Sequence, residues 1–303
     1  MIDNMDEVIQ NLKKESFGKV IINPEMSKFT TYRVGGPARV MVYPKSINRL
    51  VKLIAYLKEK QVPYKIMGNG SNLIFPSKGY DGVIVKLDKI DHLIIDGKGV
   101  RVGAGYSLMK LAYKTCKRGL SGLEFATGIP GSVGGSVYMN AGAYKSDMGY
   151  VVTKALVLTP TGDLVEMNNK QLDFHYRTSY LQTHPGHVCV EATIQLKPGN
   201  VEEIMDLVNR RRDARLSTQP LEYPSAGSVF RNPQDQFAGK LVEDCGLKGY
   251  HIHDAYVSEK HANFIVNKGN ATGDDVIKLI RHVKETVKNE FHIDLRVEQE
   301  IVE

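Results

Sequence analysis

Apolar positions along this chain fall into two periods, a helical spacing and short β-like runs, and the order of those periods outlines the fold. The opening "MIDNMDEVIQNLKKES" has an amphipathic helical pattern with acidic residues and no apolar core of the signal-peptide kind. Through the first third the order reads helix, strand, helix, strand. Ser46 serves as N-cap for "INRLVKLIAYLKEKQ", and Pro63 marks the end of that helix. The strand "YKIMG" then runs into "NGSN". Short β-rich runs follow at "GVIVKL", "HLIID" and "VRVGAG", and then a helical pattern, "SLMKLAYKTCKRG", with Ser107 and Gly119 as start and stop signals.

Further strands are predicted at "TKALVLTP", "DLVEM" and "VCVEATIQL", with a hairpin turn at Thr161 and Gly162. Simple β-α alternation is missing here, so these strands belong to an antiparallel or mixed sheet. The helix "VEEIMDLVNRRRDAR" leads into "LSTQPLEYPSAG", where Pro220, Pro224 and Gly227 break the periodicity and mark a domain boundary. In the last αβ unit Val276, Ile280, Val283 and Val287 recur at helical spacing, Thr272 caps the helix, and "LRVEQEIV" reads as a terminal strand.

At 303 residues the chain exceeds the usual size of a single core, so two or three domains are expected. Hydrophobic content of 42% and charged content of 24% are ordinary for a globular protein. No apolar run approaches the roughly 20 residues that span a bilayer, which argues against membrane insertion and, with the N-terminal pattern, for a cytoplasmic protein. Cys116, Cys189 and Cys245 are far apart and odd in number, as reduced thiols would be, and no metal site is expected. A net charge of +6 is spread among 34 acidic residues without a nucleic-acid-binding signature, so nucleic acid is not the expected partner. His251 and His253 form a short HxH with no third ligand in view, which fits a strand or turn better than a metal centre.

Two glycine-dense stretches carry the candidate chemistry. "MGNGSNL", Met67 to Leu73, follows a predicted strand, where a tight turn exposes successive backbone N–H groups to an anion. It departs from the dinucleotide fingerprint of a Rossmann unit, because Leu73 stands at the third glycine position and "IFP" reads as a short strand instead of a helix. By itself this loop reads more readily as an ordinary turn than as a ligand site. "ATGIPGSVGGSVYMNAGAY", Ala126 to Tyr144, supplies a second wall for an extended diphosphate ligand. Ser71, Asn72, Ser132, Ser136 and Asn140 add neutral hydrogen-bonding groups suited to phosphate and ribose. Packing of small residues between a helix and a sheet is the alternative for Gly134, Gly135 and Ser136.

The ordered segments "TTYRVGGPA", "GNGSNL", "GLEFATGIPGSVGGSVYMNAGAY", "YRTSYL", "GSVFRNP" and "VEQEIV" resemble, over nearly the whole chain, the UDP-N-acetylenolpyruvoylglucosamine reductase family (MurB type) of peptidoglycan precursor synthesis. The resemblance implies an α+β protein in which a two-subdomain FAD-binding module of the vanillyl-alcohol-oxidase/PCMH type precedes a smaller α/β substrate-binding domain. The expected division is 1–80 and 81–198 for the two FAD-binding subdomains and 199–303 for the substrate domain, with the boundary near 215–227. It further implies noncovalent FAD, NADPH as reductant and a UDP-sugar enolpyruvyl ether as substrate. The cofactor-binding residues would be Gly68, Asn69, Gly70, Ser71 and Asn72 in the first loop, and Gly128, Ile129, Gly131, Ser132, Gly134, Gly135, Ser136, Asn140, Ala141 and Gly142 in the second.

The implied reaction reduces an enol ether to a lactyl ether, so the site needs a cation at the substrate carboxylate and a proton donor over the neighbouring carbon. By the same resemblance Arg177 of "YRTS" is the cation, Ser228 of "GSVF" the proton donor and Glu298 of "VEQE" the acidic partner, while Tyr176 and Asn232 contact substrate. In a continuous terminal strand Glu298 and Glu300 would point to one face, and the resemblance selects Glu298. The chain resembles the compact type II members, which lack an extra tyrosine-bearing substrate loop. Two other readings share parts of this pattern: a different FAD-dependent oxidoreductase acting on a small alcohol, and a non-catalytic nucleotide-sugar-binding module. The first has no reason to keep Arg177, Ser228 and Glu298 together, and the second predicts a colourless protein.

Overall fold

The computed structural model describes residues 5–303. The N-terminal helix expected from the sequence is Met5–Lys14, and residues 1–4 of that reading lie outside the described residues. Two compact units form. One contains the residues up to Ile22, Val40–Asn69 and Gly82–Asp213, and the other contains Asn23–Arg39, Gly70–Asp81 and Ala214–Glu303. The backbone passes between them repeatedly, and one passage falls inside the first glycine loop, between Asn69 and Gly70.

The first unit is built on two sheets. In one, the order is Gly18–Ile22, Ala38–Pro44, Tyr80–Lys86, Tyr64–Met67, with an antiparallel pair at one edge and a parallel pair at the other. Helix Ile47–Glu59 starts where Ser46 Oγ accepts the Arg49 N–H, as its cap position predicts. Leu50, Leu53, Ile54 and Leu57 on its inner face join Val40, Val42, Val83 and Val85 in one core. Each such side chain contributes about 1.5–3 kcal/mol by leaving water.

The second sheet runs Leu164–Asn168, Val152–Leu158, Val188–Gln195, Gly99–Gly103, Leu93–Asp96, and every neighbouring pair is antiparallel. The turn expected at Thr161–Gly162 joins two of these strands, with Gly162 at φ 95°. Helix Leu108–Cys116 begins at Ser107 and gives way to Gly119 at φ 70°, again as the start and stop signals require. All three cysteines are free. Burial pushes the Cys116 and Cys189 thiols up to about 12, which keeps both protonated and unreactive at neutral pH.

In the second unit a three-stranded antiparallel sheet, His251–Ile252, Ala255–Val257 and Ile265–Asn267, packs on helix Gly273–Phe291. Thr272 and Asp275 form a capping box at the start of that helix, and Val276, Ile280, Val283 and Val287 are buried along it. His251 and His253 belong to the first hairpin of this sheet, where the His253 ring pairs with Asp275 at 2.8 Å. Among the described residues no group of three or more His, Cys, Asp or Glu side chains is arranged to hold a metal ion.

The continuous terminal strand expected over "LRVEQEIV" does not form. Residues 296–298 pair with 229–231, through Arg231 N–H to Arg296 O and Glu298 N–H to Val229 O, whereas Glu300–Ile301 pair in parallel with Leu73–Ile74. The chain changes partner at Gln299, so the alternation that would place Glu298 and Glu300 on one face is interrupted there.

Candidate functional site

The start of the first glycine loop, Met67–Asn69, lies beside the second loop within the first unit. A β-carbon at Gly68 would come within 2.0 Å of Ser132 Oγ, so only glycine permits this approach. Next to it the Asn69 side-chain amide donates to the Pro130 carbonyl at 3.0 Å. From behind, Lys86 extends a buried ammonium group that donates to the Gly68 carbonyl at 2.7 Å and pairs with Asp88 at 2.8 Å. An anchored carbonyl fixes the plane of the peptide that follows it, and the cation adds positive potential beneath the loop. No motif in the sequence marks Lys86. Its only local signal is a charge inside the apolar run "GVIVKL".

Within the second loop, close packing accounts for several small residues. A β-carbon at Gly134 would meet that of Ala104 at 2.7 Å, and one at Gly142 would meet the Ser146 carbonyl at 2.5 Å across a short hairpin. Helix Val133–Met139 starts at Ser132, whose Oγ accepts the Gly135 N–H. The Val133 and Gly134 N–H groups donate to the carbonyls of Tyr106 and Ala104. The first turn of this helix therefore spends its donors inside the protein. Ser136 turns its hydroxyl back to the Ser132 carbonyl at 2.8 Å, leaving Gly135 as the exposed member of the trio.

Asn140 ends this helix in the left-handed conformation, at φ 43°, and is buried. Both arms of its amide are engaged: Nδ2 donates to the His175 carbonyl at 2.8 Å and Oδ1 accepts the Gly149 N–H at 2.9 Å. Asn140 thereby braces the turn that presents Arg177. His175 and Thr178 exchange backbone hydrogen bonds across a two-residue turn, with Tyr176 and Arg177 at its tip. Arg177 has φ 55°, a conformation that such turns ordinarily reserve for Gly or Asn. Strain of this kind costs about 1–3 kcal/mol and persists only where surrounding contacts impose it. Here they include Asn140 on one side and the Ser179 hydroxyl, which donates to the Tyr138 carbonyl at 2.8 Å. Arg177 is half-buried, and its guanidinium lies 5.4 Å from the ring centroid of the exposed Tyr176.

The second unit holds Ser228 in a different way. Gly227, at φ 75°, delivers the chain into a strand-like segment in which Ser228 faces Phe264 and Phe230 faces Val297. Asn263, nearly fully buried, accepts the Val229 N–H on its backbone carbonyl at 2.8 Å. Its side-chain amide accepts the Phe230 N–H at 2.9 Å and donates to the Phe230 carbonyl at 2.8 Å. On the other flank Glu298 donates its N–H to the Val229 carbonyl at 2.8 Å, which makes Ser228 and Glu298 near neighbours in this unit. Both are half-buried.

Asn72 of the first loop also belongs to this frame. Its side chain donates to the Glu298 carbonyl at 3.1 Å, and its own backbone carbonyl accepts the Glu300 N–H at 2.9 Å. Asn232 is exposed, and its Oδ1 accepts the Ala238 N–H at 3.1 Å at the start of helix Ala238–Asp244. Neither Asn263 nor Gln299 stands in a motif that the sequence alone makes functional. Their partners lie more than 30 residues away, and no local pattern marks them.

Comparison with known proteins matches two segments of the chain. Residues 38–168 match an FAD binding domain, and residues 219–302 match the C-terminal domain described as that of UDP-N-acetylenolpyruvoylglucosamine reductase. A Bacillus subtilis (strain 168) protein named UDP-N-acetylenolpyruvoylglucosamine reductase is 47% identical over 299 residues, covering 98% of this chain and 99% of its own. A Bacillus cereus protein, UDP-N-acetylenolpyruvoylglucosamine reductase 1, is 44% identical over the same shares of both chains. The crystal structure of UDP-N-acetylenolpyruvylglucosamine reductase (MurB) from Thermus caldophilus superposes with a TM-score of 0.80 at 34% identity, covering 94% of this chain and 98% of that one.

Proposed function

Because this chain belongs to the UDP-N-acetylenolpyruvoylglucosamine reductase family, we propose that it reduces the enolpyruvyl ether of UDP-N-acetylglucosamine to UDP-N-acetylmuramate for peptidoglycan precursor synthesis, with noncovalent FAD and NADPH. FAD, when bound, would supply hydride chemistry with NADPH as the reductant. The residues present fit the cofactor, since two glycine loops meet where a β-carbon would fill the space and a buried lysine ammonium lies behind one of them. Backbone N–H groups of residues 68–69 and 131–132, which share the first unit, would hold the diphosphate, with Ser132 adding a hydroxyl. Residues 1–80 and 81–198 serve as the cofactor subdomains in this reading, and 199–303 as the substrate domain.

Arg177 grips the substrate carboxylate through a planar guanidinium and stabilises the negative charge that gathers there during reduction. Ser228 Oγ–H delivers a proton to the carbon bearing that carboxylate, and the strongly basic enolate makes a hydroxyl acid enough for the task. Glu298 is the acidic partner, with Tyr176 and Asn232 contacting substrate. The observation that carries this assignment is the backbone bond from Glu298 N–H to Val229 O, which sets Glu298 beside Ser228 although 70 positions separate them in the chain. Free cysteines, NADPH and a nucleotide-sugar substrate all fit the cytoplasm, with no nucleic-acid partner. No helix among the described residues is long and apolar enough to cross a membrane.

Purified protein should show a flavin spectrum that denaturation releases into solution. Anaerobic mixing should bleach it with NADPH and restore it with the enolpyruvyl nucleotide sugar. A colourless protein, or flavin reduced by a small alcohol and indifferent to the nucleotide sugar, would overturn the assignment.

A further inference from the structure

Gln299 lies between two carboxylate residues where the C-terminal segment changes its strand partner, and it is turned inward, 4% exposed. Its Nε2 donates to the Gly227 carbonyl at 3.1 Å and to the Ser228 carbonyl at 3.4 Å. These are the two carbonyls on either side of the Ser228 α-carbon, so one amide group restrains both peptide planes that define the Ser228 backbone. The plane after Ser228 is held at its other end as well, by the Val229 N–H bond to Asn263 O. The plane before it begins at Gly227, whose missing side chain would otherwise leave it free to rotate.

The opposite end of the same amide adds a second observation. Gln299 Oε1 and the fully buried Tyr32 hydroxyl each lack a partner in good hydrogen-bond geometry, although the Gln299 side chain stands close enough to act on the phenol. Burial, the larger cause, pushes the Tyr32 phenol well above its ordinary range, and the Gln299 amide facing it lowers it in part. An apolar side chain would fill this place without an unpaired oxygen, whose burial costs about 1–3 kcal/mol. The glutamine is therefore a poor choice for packing and a suitable one for holding carbonyls.

We propose that Gln299 is a positioning residue for the Ser228 hydroxyl, setting the backbone from which Oγ delivers its proton. This rests on the reading of Ser228 as the proton donor. Gln299 itself touches no reacting atom. Its removal should act on proton delivery and leave the reduction of flavin by NADPH alone.

The test uses the flavin-loaded protein and three variants: Ser228→Ala, Gln299→Met and Gln299→Asn. In Gln299→Met, flavin retention and the NADPH half-reaction should match the parent within about twofold, while reoxidation by the enolpyruvyl substrate slows about tenfold to a hundredfold, the scale of a small misplacement of a reacting group. The solvent deuterium isotope effect on reoxidation should rise, because proton delivery becomes slower relative to other steps. The Val229 amide should exchange with deuterium faster than in the parent, a readout independent of turnover. Should Gln299→Met fail to fold, Gln299→Asn, one methylene too short to span both carbonyls, should show the same split. Equal slowing of both half-reactions, or parent-like reoxidation in a Gln299 variant while Ser228→Ala is slow, overturns the inference and leaves the role of Ser228 standing. Parent-like reoxidation in Ser228→Ala removes that role, and the inference with it.

Discussion

Arg177 and Ser228 are held by opposite strategies. Arg177 stands at the tip of a two-residue turn in a left-handed conformation, kept there by the amide of Asn140 and the hydroxyl of Ser179. Ser228 sits in extended backbone with a neighbour on each side and with both adjacent peptide planes tied down. A cation that must meet a carboxylate has a long side chain to adjust its reach, so a strained, exposed turn is sufficient. A hydroxyl has one rotatable bond, and its accuracy has to come from the backbone.

The largest expected effect falls on the rigid side of this comparison. Ser228→Ala should slow reoxidation of the flavin by the enolpyruvyl substrate by about 10²–10⁴, the usual contribution of a positioned acid, while NADPH still reduces the flavin. Stopped-flow absorbance of the two half-reactions decides it. Arg177→Lys comes next, at about tenfold to a hundredfold in the same step, because a point charge cannot reproduce a planar two-bond grip. An effect confined to the NADPH half-reaction would break the assignment.

The two frames can then be compared without substrate. Asn263→Ala leaves the Phe230 N–H and C=O unpaired in a buried place and should lower stability by about 2–3 kcal/mol in denaturant unfolding. Asn140→Ala should cost at least as much, about 2–3 kcal/mol, because it too leaves two backbone groups unpaired and puts alanine at φ 43°, and it should also slow reoxidation as the Arg177 turn loosens. If Asn140→Ala changed stability and left reoxidation untouched, the brace would have no bearing on Arg177. The smallest effect has the opposite sign. Arg177→Asn should raise stability by under about 1 kcal/mol, since asparagine tolerates φ 55°, while abolishing the carboxylate grip.

What could be read from the chain itself was whatever neighbouring residues decide together. Ser46, Ser107 and Thr272 start helices because a side-chain oxygen reaches an N–H three positions on, and all three do so. Glycine density marked both loops of the candidate cofactor site, since close backbone approach demands it wherever the partner comes from. Family motifs then named Arg177, Ser228 and Glu298. Tertiary structure alone decided how those residues are held. Asn140 became a brace for Arg177, Asn72 a tie to the backbone of Glu298, Lys86 an anchor under Gly68, and Gln299 a restraint on both sides of Ser228. "VEQE" broke at Gln299 because its two halves found different strands to pair with. A buried amide or ammonium must find a partner, and the carbonyls these groups reach lie 18 to 226 positions away. The need for a partner is written in each residue's chemistry, and the partner's identity is settled only when the chain closes on itself.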